Sequence, residues 1–479
     1  MASPASLGSR ALRASRRQIS VPNLQRRGLA AAASGSFGYE TGEANGVKFA
    51  SRDLPGPTTT LTVVAKAGTR YQPLPGLSDA LEKFAFKSTS KRSTLRITRE
   101  TELLGGETSA YHSRENLVLR AKFLRDDLPY FTELLGEVMT KTRYTTHELD
   151  EEVLYIMKLA QKGLLASPAS LALNSVHGVA FHRGLGEPLY ATSSTPFTKY
   201  LDAETIWEFS GAAYAKNNFA VVANGASHSE LSKWVNEFFA DVGTGSQKFK
   251  IESQATKYFG GEERIAHNSG NVMILGFPGS SSFTTGSSYK PEIAVLAALL
   301  GGESSIKWSP GFSLLSKAAK DFPFAQVSTQ HAAYSDAGLF YVSIAGNAQH
   351  VAKASKEVVD TLKKVASGNV AEEDIKKATA LAKFRALEAG QQTQAGLEAT
   401  GTGLLAGGKP FQIDEIGAAI DKVTSEKVKA VSVRGRTTYI AFKLTFPQAA
   451  KGLLESKASV STVGDLFALP FASDIGLTV

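Results

Sequence analysis

The chain has 479 residues, 43% of them hydrophobic and 20% charged, a balance that suits folded domains and excludes a disordered chain. It has no cysteine, which removes disulfide frameworks, thiolate metal sites and cysteine nucleophiles. The formal charge is +8, and no run reaches the ~18–20 apolar residues that a bilayer span requires.

The first acidic residue is Glu40, and six arginines precede it: Arg10, Arg13, Arg16, Arg17, Arg26 and Arg27. An Arg-rich, Ser/Ala-rich, acid-free leader predicts a mitochondrial transit peptide ending near residue 38. Without those arginines the balance is 47 basic against 45 acidic side chains. The basic excess is therefore an address rather than a nucleic-acid surface.

Downstream, 47–52 and 59–65 read as strands around a Pro/Gly turn at 53–57, and Leu77, Leu81 and Phe84 recur at helical spacing over 77–87. Residues 111–124 read as a hairpin around Arg114, Glu115 and Asn116. Helices follow at 129–139, 148–164, 168–181 and 202–214, then a strand at 219–222 and a helix at 229–239. The second half runs in similar order. It has a strand at 272–276, a helix at 290–300, a strand at 339–345, helices at 350–366, 372–387 and 411–424, a strand at 428–433 and a further helix at 449–457. The segment Ser109–Ser113 leading into Leu117–Leu119 echoes Ala332–Asp336 leading into Leu339–Tyr341, at an offset of about 222. This predicts an α+β fold of two homologous domains, 39–250 and 251–479. Each has a mixed or antiparallel sheet with helices packed on one face.

Chemistry is sparse. No G-x-G-x-x-G follows a strand, no P-loop occurs, and no G-x-S-x-G appears. The eight histidines form no ligand motif. Helix 77–87 carries Asp79, Glu82 and Lys83, with Asp79 three residues from Glu82 and four from Lys83, on one face. Two histidines at such i, i+4 positions would bind zinc, but here they are an acid and an ammonium. Spacing alone reads as a surface ion pair worth about 0.2–0.5 kcal/mol. The basic run Lys83, Lys87, Lys91 and Arg92 lacks the interleaved aromatics of a nucleic-acid stripe.

The stretch Ala67-Gly68-Thr69-Arg70, continued by Gly76 through Thr89, resembles the inverted-zinc-motif metallopeptidases that include the mitochondrial processing peptidase. Their signature runs G-S-R, then G-x-A-H-x-x-E-H-x-x-F-K-G-T, and Gly68, Arg70, Gly76, Glu82, Phe86, Lys87 and Thr89 match it. The resemblance implies paired homologous domains over about 45–479. It puts the two histidine ligands on Asp79 and Lys83 and the general base on Glu82, and 157–160 lacks the glutamate of the third ligand. It thus implies no catalytic residue, no metal and no cofactor. Tyr214–Gly225 and Ser335-Asp336-x-Gly338-Leu339-Phe340 match further family runs. Leu300–Gly311 is similar to the non-catalytic core subunits of the mitochondrial cytochrome bc1 complex, in their fungal form, and lacks the glycine-rich loop of the rival non-catalytic (alpha) processing-peptidase subunit. The implied setting is peripheral, on the matrix side of the inner membrane. There the chain would pair with a core protein 1 and join cytochrome b, cytochrome c1 and the Rieske protein's complex, with no nucleic acid.

Overall fold

Among the described residues, eleven strands, numbered in chain order, form two sheets. The first holds β1 (Glu40–Ala44), β2 (Val47–Arg52), β3 (Thr58–Ala65), β4 (Glu107–His112), β5 (Leu117–Leu124) and β6 (Phe219–Asn224), in the order β1-β2-β6-β3-β5-β4. The second holds β7 (Gly261–Ala266), β8 (Asn271–Pro278), β9 (Ala325–Ala333), β10 (Gly338–Gly346) and β11 (Ser459–Gly464), in the order β7-β11-β8-β10-β9. Leaving out β1, the second sheet repeats the first strand for strand. Among the described strands each sheet has one parallel pair, β2 with β6 and β7 with β11, and the two stand at the same place. A computed structural model provides this description for residues 38–423 and 456–479, apart from 193–194, 247, 253, 287, 303–310, 312, 323, 392–393 and 395. The expected import segment, most of the run 300–311, the strand expected at 428–433 and most of the helix expected at 449–457 lie outside the described residues.

The first half supplies helices α1 (Leu77–Phe84), α2 (Thr94–Leu103), α3 (Leu128–Lys141), α4 (Leu154–Ala166), α5 (Pro168–Phe181), α6 (Ala203–Ala213) and α7 (His228–Phe238). The second supplies α8 (Pro291–Leu300), α9 (Leu314–Ala319), α10 (Ala348–Ala366), α11 (Glu372–Gln391), α12 (Leu397–Leu405) and α13 (Ile413–Asp421). No single described helix is long and apolar enough to cross a membrane.

Each sheet buries one face under helices of its own half. In the first, Phe131 of α3 stacks on Phe123 of β5 with ring centroids 4.3 Å apart. In the second, α10 turns Val351, Val358, Val359, Leu362 and Val365 inward, at spacings that fall on one helical face. Such fully buried side chains each contribute roughly 1.5–3 kcal/mol.

The opposite faces are covered by exchange. Helix α5, made in the first half, lays Ala172, Val176, Ala180 and Phe181 on Val272, Ile274, Leu339, Tyr341 and Val463 of the second sheet. Helix α12, made in the second half, lays Leu397 against Tyr39, Ala50 and Val222 of the first sheet and its flank. A Cβ at Gly401 would stand 2.6 Å from the Val64 side chain, so glycine permits the close approach of α12 to β3. The repeat-matched tyrosines mark the symmetry of the exchange. Tyr111 donates to Glu398 of α12 at 3.1 Å, and the Tyr334 hydroxyl lies 2.8 Å from His177 of α5.

The repeat-matched hairpins meet tip to tip. Glu115 accepts hydrogen bonds from the Ser335 amide at 2.8 Å and its hydroxyl at 2.5 Å. The Arg70 guanidinium reaches Glu115 at 2.7 Å, both carboxylate oxygens of Asp336 at 2.7 Å and the Gln254 carbonyl at 2.7 Å. Gly68 lets this segment lie flat on the first hairpin, because a Cβ there would meet the 114–115 backbone at 2.5 Å. Two residues of the metallopeptidase-like motif therefore have a structural task in this chain.

Candidate functional site

Helix α1 starts beneath the Arg70 clamp. Gly76 takes φ 93°, a left-handed turn suited to glycine, and the Gln72 side chain accepts from the Gly76 and Ser78 amides at 3.1 and 3.2 Å. The helix ends at Phe84, three residues short of the sequence expectation, and Phe86 follows in the left-handed region at φ 62°. α1 is buried almost all round, with only Lys83 half-buried. The surface ion pair expected from spacing is thus corrected. Asp79 is only 2% exposed, and its Oδ1 has no hydrogen-bond partner.

The structure brings Asp79, Glu82 and Lys83 together and adds a residue that sequence reasoning missed, His112, at the end of β4. Glu82 accepts from the His112 amide at 3.1 Å and closely contacts both the His112 Nδ1 and the Lys83 Nζ. Lys83 Nζ lies 3.8 Å from Asp79. The other imidazole nitrogen, Nε2, is 2.8 Å from the Leu189 carbonyl and donates to it, and the Tyr190 ring stands edge-on at 5.4 Å. No spacing rule links His112 to a helix 30 residues earlier. The nearest signal is that it lies within the internally repeated segment 109–113.

The electrostatics are those of a closed quartet. Burial pushes the Asp79 carboxyl up to about 6, against the pull of His112 and Lys83. Burial also opposes the charged forms of Glu82, Lys83 and His112, but their mutual hydrogen bonds and charges outweigh it. Glu82 is held below the ordinary carboxylate range, and Lys83 and His112 above their ordinary values.

One ligand atom each from Asp79, Glu82 and His112 lie within 4.8 Å of one another, close enough to suggest a cation site. The donor set does not fit zinc. A lysine ammonium already stands against two of the three groups, and both imidazole nitrogens are engaged. In the stretch 157–160, Met157 is buried with its methyl against Gly76, whereas Lys158 and Leu159 face outward. The arrangement can hold charge but does not activate water.

Asp79→Asn therefore has a definite expectation. The unfolded chain loses this proton near 3.8 and the folded chain near 6, so the carboxylate costs stability as pH rises through that window. The amide should stabilise the protein by roughly 1–3 kcal/mol above pH 7 and be neutral below pH 4. Denaturant titrations at both ends of the range test this, and a loss of stability at neutral pH would contradict the quartet's charge assignment.

The basic run beside the site is also engaged. Lys87 pairs with Glu152, Lys91 with Glu133 at 3.1 Å, and Arg92 with Glu100 at 3.0 Å as well as with Glu133 and Glu137. These cations are spent within the fold, which disfavours phosphate binding.

Comparison with known proteins converges on one family. Residues 48–193 match "Insulinase (Peptidase family M16)" and residues 200–381 match "Peptidase M16 inactive domain". The chain is 50% identical over 464 residues to "Cytochrome b-c1 complex subunit 2, mitochondrial" of Neurospora crassa, covering 97% of each chain. It is 34% identical over 451 residues to the protein of the same name from Yarrowia lipolytica, covering 94% of this chain and 99% of that one. A protein named "Probable mitochondrial-processing peptidase subunit alpha-1, mitochondrial", from Arabidopsis thaliana, is 27% identical over 392 residues, covering 80% and 76%.

Proposed function

The chain belongs to the family of mitochondrial cytochrome b-c1 complex subunit 2 proteins, built on the paired peptidase M16 domains, and from that premise we propose that it is a non-catalytic core subunit of respiratory complex III. Its contribution is to the assembly and stability of the complex that passes electrons from ubiquinol to cytochrome c. We assign no catalytic role to Asp79, Glu82 or Lys83. The observation that carries this reading is the Lys83 ammonium against Glu82 and facing Asp79, a fixed cation where a catalytic metallopeptidase of this fold needs a divalent ion.

Residues 1–38 serve as the import segment, and 39–250 and 251–479 as the two peptidase-like domains. The subunit sits peripherally on the matrix side of the inner membrane, paired with core protein 1 and in a complex with cytochrome b, cytochrome c1 and the Rieske protein. Permanent contacts of this type bury about 2,000–5,000 Å².

Full-length tagged protein purified from mitochondria should bring down core protein 1 and cytochrome b together. Recovery with a processing-peptidase subunit alone would overturn the reading in favour of the substrate-binding alpha subunit.

A further inference from the structure

Helix α4 is only half covered. Its inner side buries Leu154, Met157 and Leu164. Its outer side carries an apolar stripe at spacings that share one face: Tyr155 is 66% exposed, Leu159 58% and Ile156 37%, and the stripe continues through Gly163. A soluble chain gains nothing from such a stripe in water.

Gly163 sharpens the point. A glycine inside a helix costs about 1 kcal/mol relative to alanine. A Cβ at Gly163 would meet no atom of the described residues within 4 Å, so none of them requires the side chain to be missing. What a missing side chain does allow is close approach by a backbone from outside. Along one border of the stripe stand Lys158 and Lys162, one turn apart, both exposed and in no ion pair among the described residues. On the preceding turn Glu152 is engaged by Lys87 and Glu151 by His147.

We propose that this face of α4 docks an α-helix of another protein subunit, one that is apolar where it meets Leu159 and Gly163 and carries carboxylates opposite Lys158 and Lys162. Charge complementarity selects this occupant. A second copy related by two-fold symmetry would bring the same unpaired lysines into its interface. An anionic lipid surface fits less well, because Glu151 and Glu152 border the same helix and Gly163 adds nothing to burial in lipid. The inference rests on the chain being a subunit of a larger complex.

The test uses full-length protein in mitochondria, with a photo-crosslinking amino acid at position 159 and, separately, at 163. Wild-type protein is purified in parallel to establish whether it is in the complex at all. With the complex present, both positions should crosslink to one other polypeptide, at a segment with acidic residues. Leu159→Glu and the Lys158→Glu/Lys162→Glu double variant should each weaken retention of that polypeptide by at least about tenfold, the scale expected at an interface centre. The replaced side chains are exposed, so thermal melts should match wild type. An intact complex whose only adducts are lipid or a second copy of this chain would overturn the inference, as would an intact complex with no adduct. Absence of the wild-type protein from the complex would instead refute the functional reading.

Discussion

Arg70→Ala should lower the stability of the folded chain by about 3–5 kcal/mol, the usual result of removing one partner from a buried ion pair. The Arg70 side chain is 3% exposed and Glu115 7%, so the substitution leaves a carboxylate with little access to water. Asp336, at 34%, is better hydrated and contributes less. The loss should depend on pH. Burial pushes the Asp336 carboxyl up, but Arg70 and Thr256 outweigh it and hold it below 3.8. Its share of the stability is present above that value and disappears as pH falls through the depressed pKa. Urea denaturation of the variant at pH 7 and pH 3 should therefore show a gap that narrows in acid. An Arg70→Ala protein as stable as wild type at pH 7 would mean that the hairpin contact does not depend on the clamp.

Glu82→Ala should cost about 3 kcal/mol, because it strands the His112 imidazolium and the Lys83 ammonium in a buried site. In an active metallopeptidase the corresponding substitution removes a general base. Here the expected phenotype is less protein with unchanged turnover per assembled complex. The pH window follows from both partners. His112 is held above 6.5, so its stabilisation is full below 6.5 and lost as pH rises through the raised value. Glu82 is held below 4.5, so its stabilisation is present above 4.5 and lost as pH falls through the lowered value. The difference between wild type and variant should be largest between 4.5 and 6.5. A normal amount of complex with reduced turnover would point to chemistry at the site and against the scaffold reading.

Much of the architecture was legible because its elements carry strong local signals. The run Pro168–Phe181 begins on proline and is apolar enough to read as a helix, and the observed bounds agree. The expected hairpin at 111–124 and the echo at 332–341 are β4–β5 and β9–β10. What was missed carries little pattern. Strand β7 (GEERIA) is charged and only partly buried, and it becomes a strand by pairing in parallel with β11, nearly 200 residues later in the chain. β1 is polar and mostly exposed, an edge strand held by its register with β2. Helix α2 buries only Ile97 and Thr101, so no apolar stripe announces it, although Ser93 caps it by accepting from the Arg96 amide. At the candidate site, Asp79, Glu82 and Lys83 were visible by spacing. Their burial and the fourth member, His112, come from the packing of β4 beside α1, which the linear sequence does not encode locally.

The exchanged helices also govern the order in which the protein can be completed. A chain delivered N-terminus first has every strand of its first sheet once Asn224 has emerged, yet the covering helix for one face begins only at Leu397. Helix α5 has the opposite problem, since it is made long before the strands it covers, the last of which is β11 at Ser459–Gly464. During that interval the first sheet stands without α12, and the apolar face of α5 stands without the sheet it will cover. A chain that stops short of β11 cannot cover α5, and one that stops short of Leu397 cannot cover the first sheet, so neither half can be completed before the other.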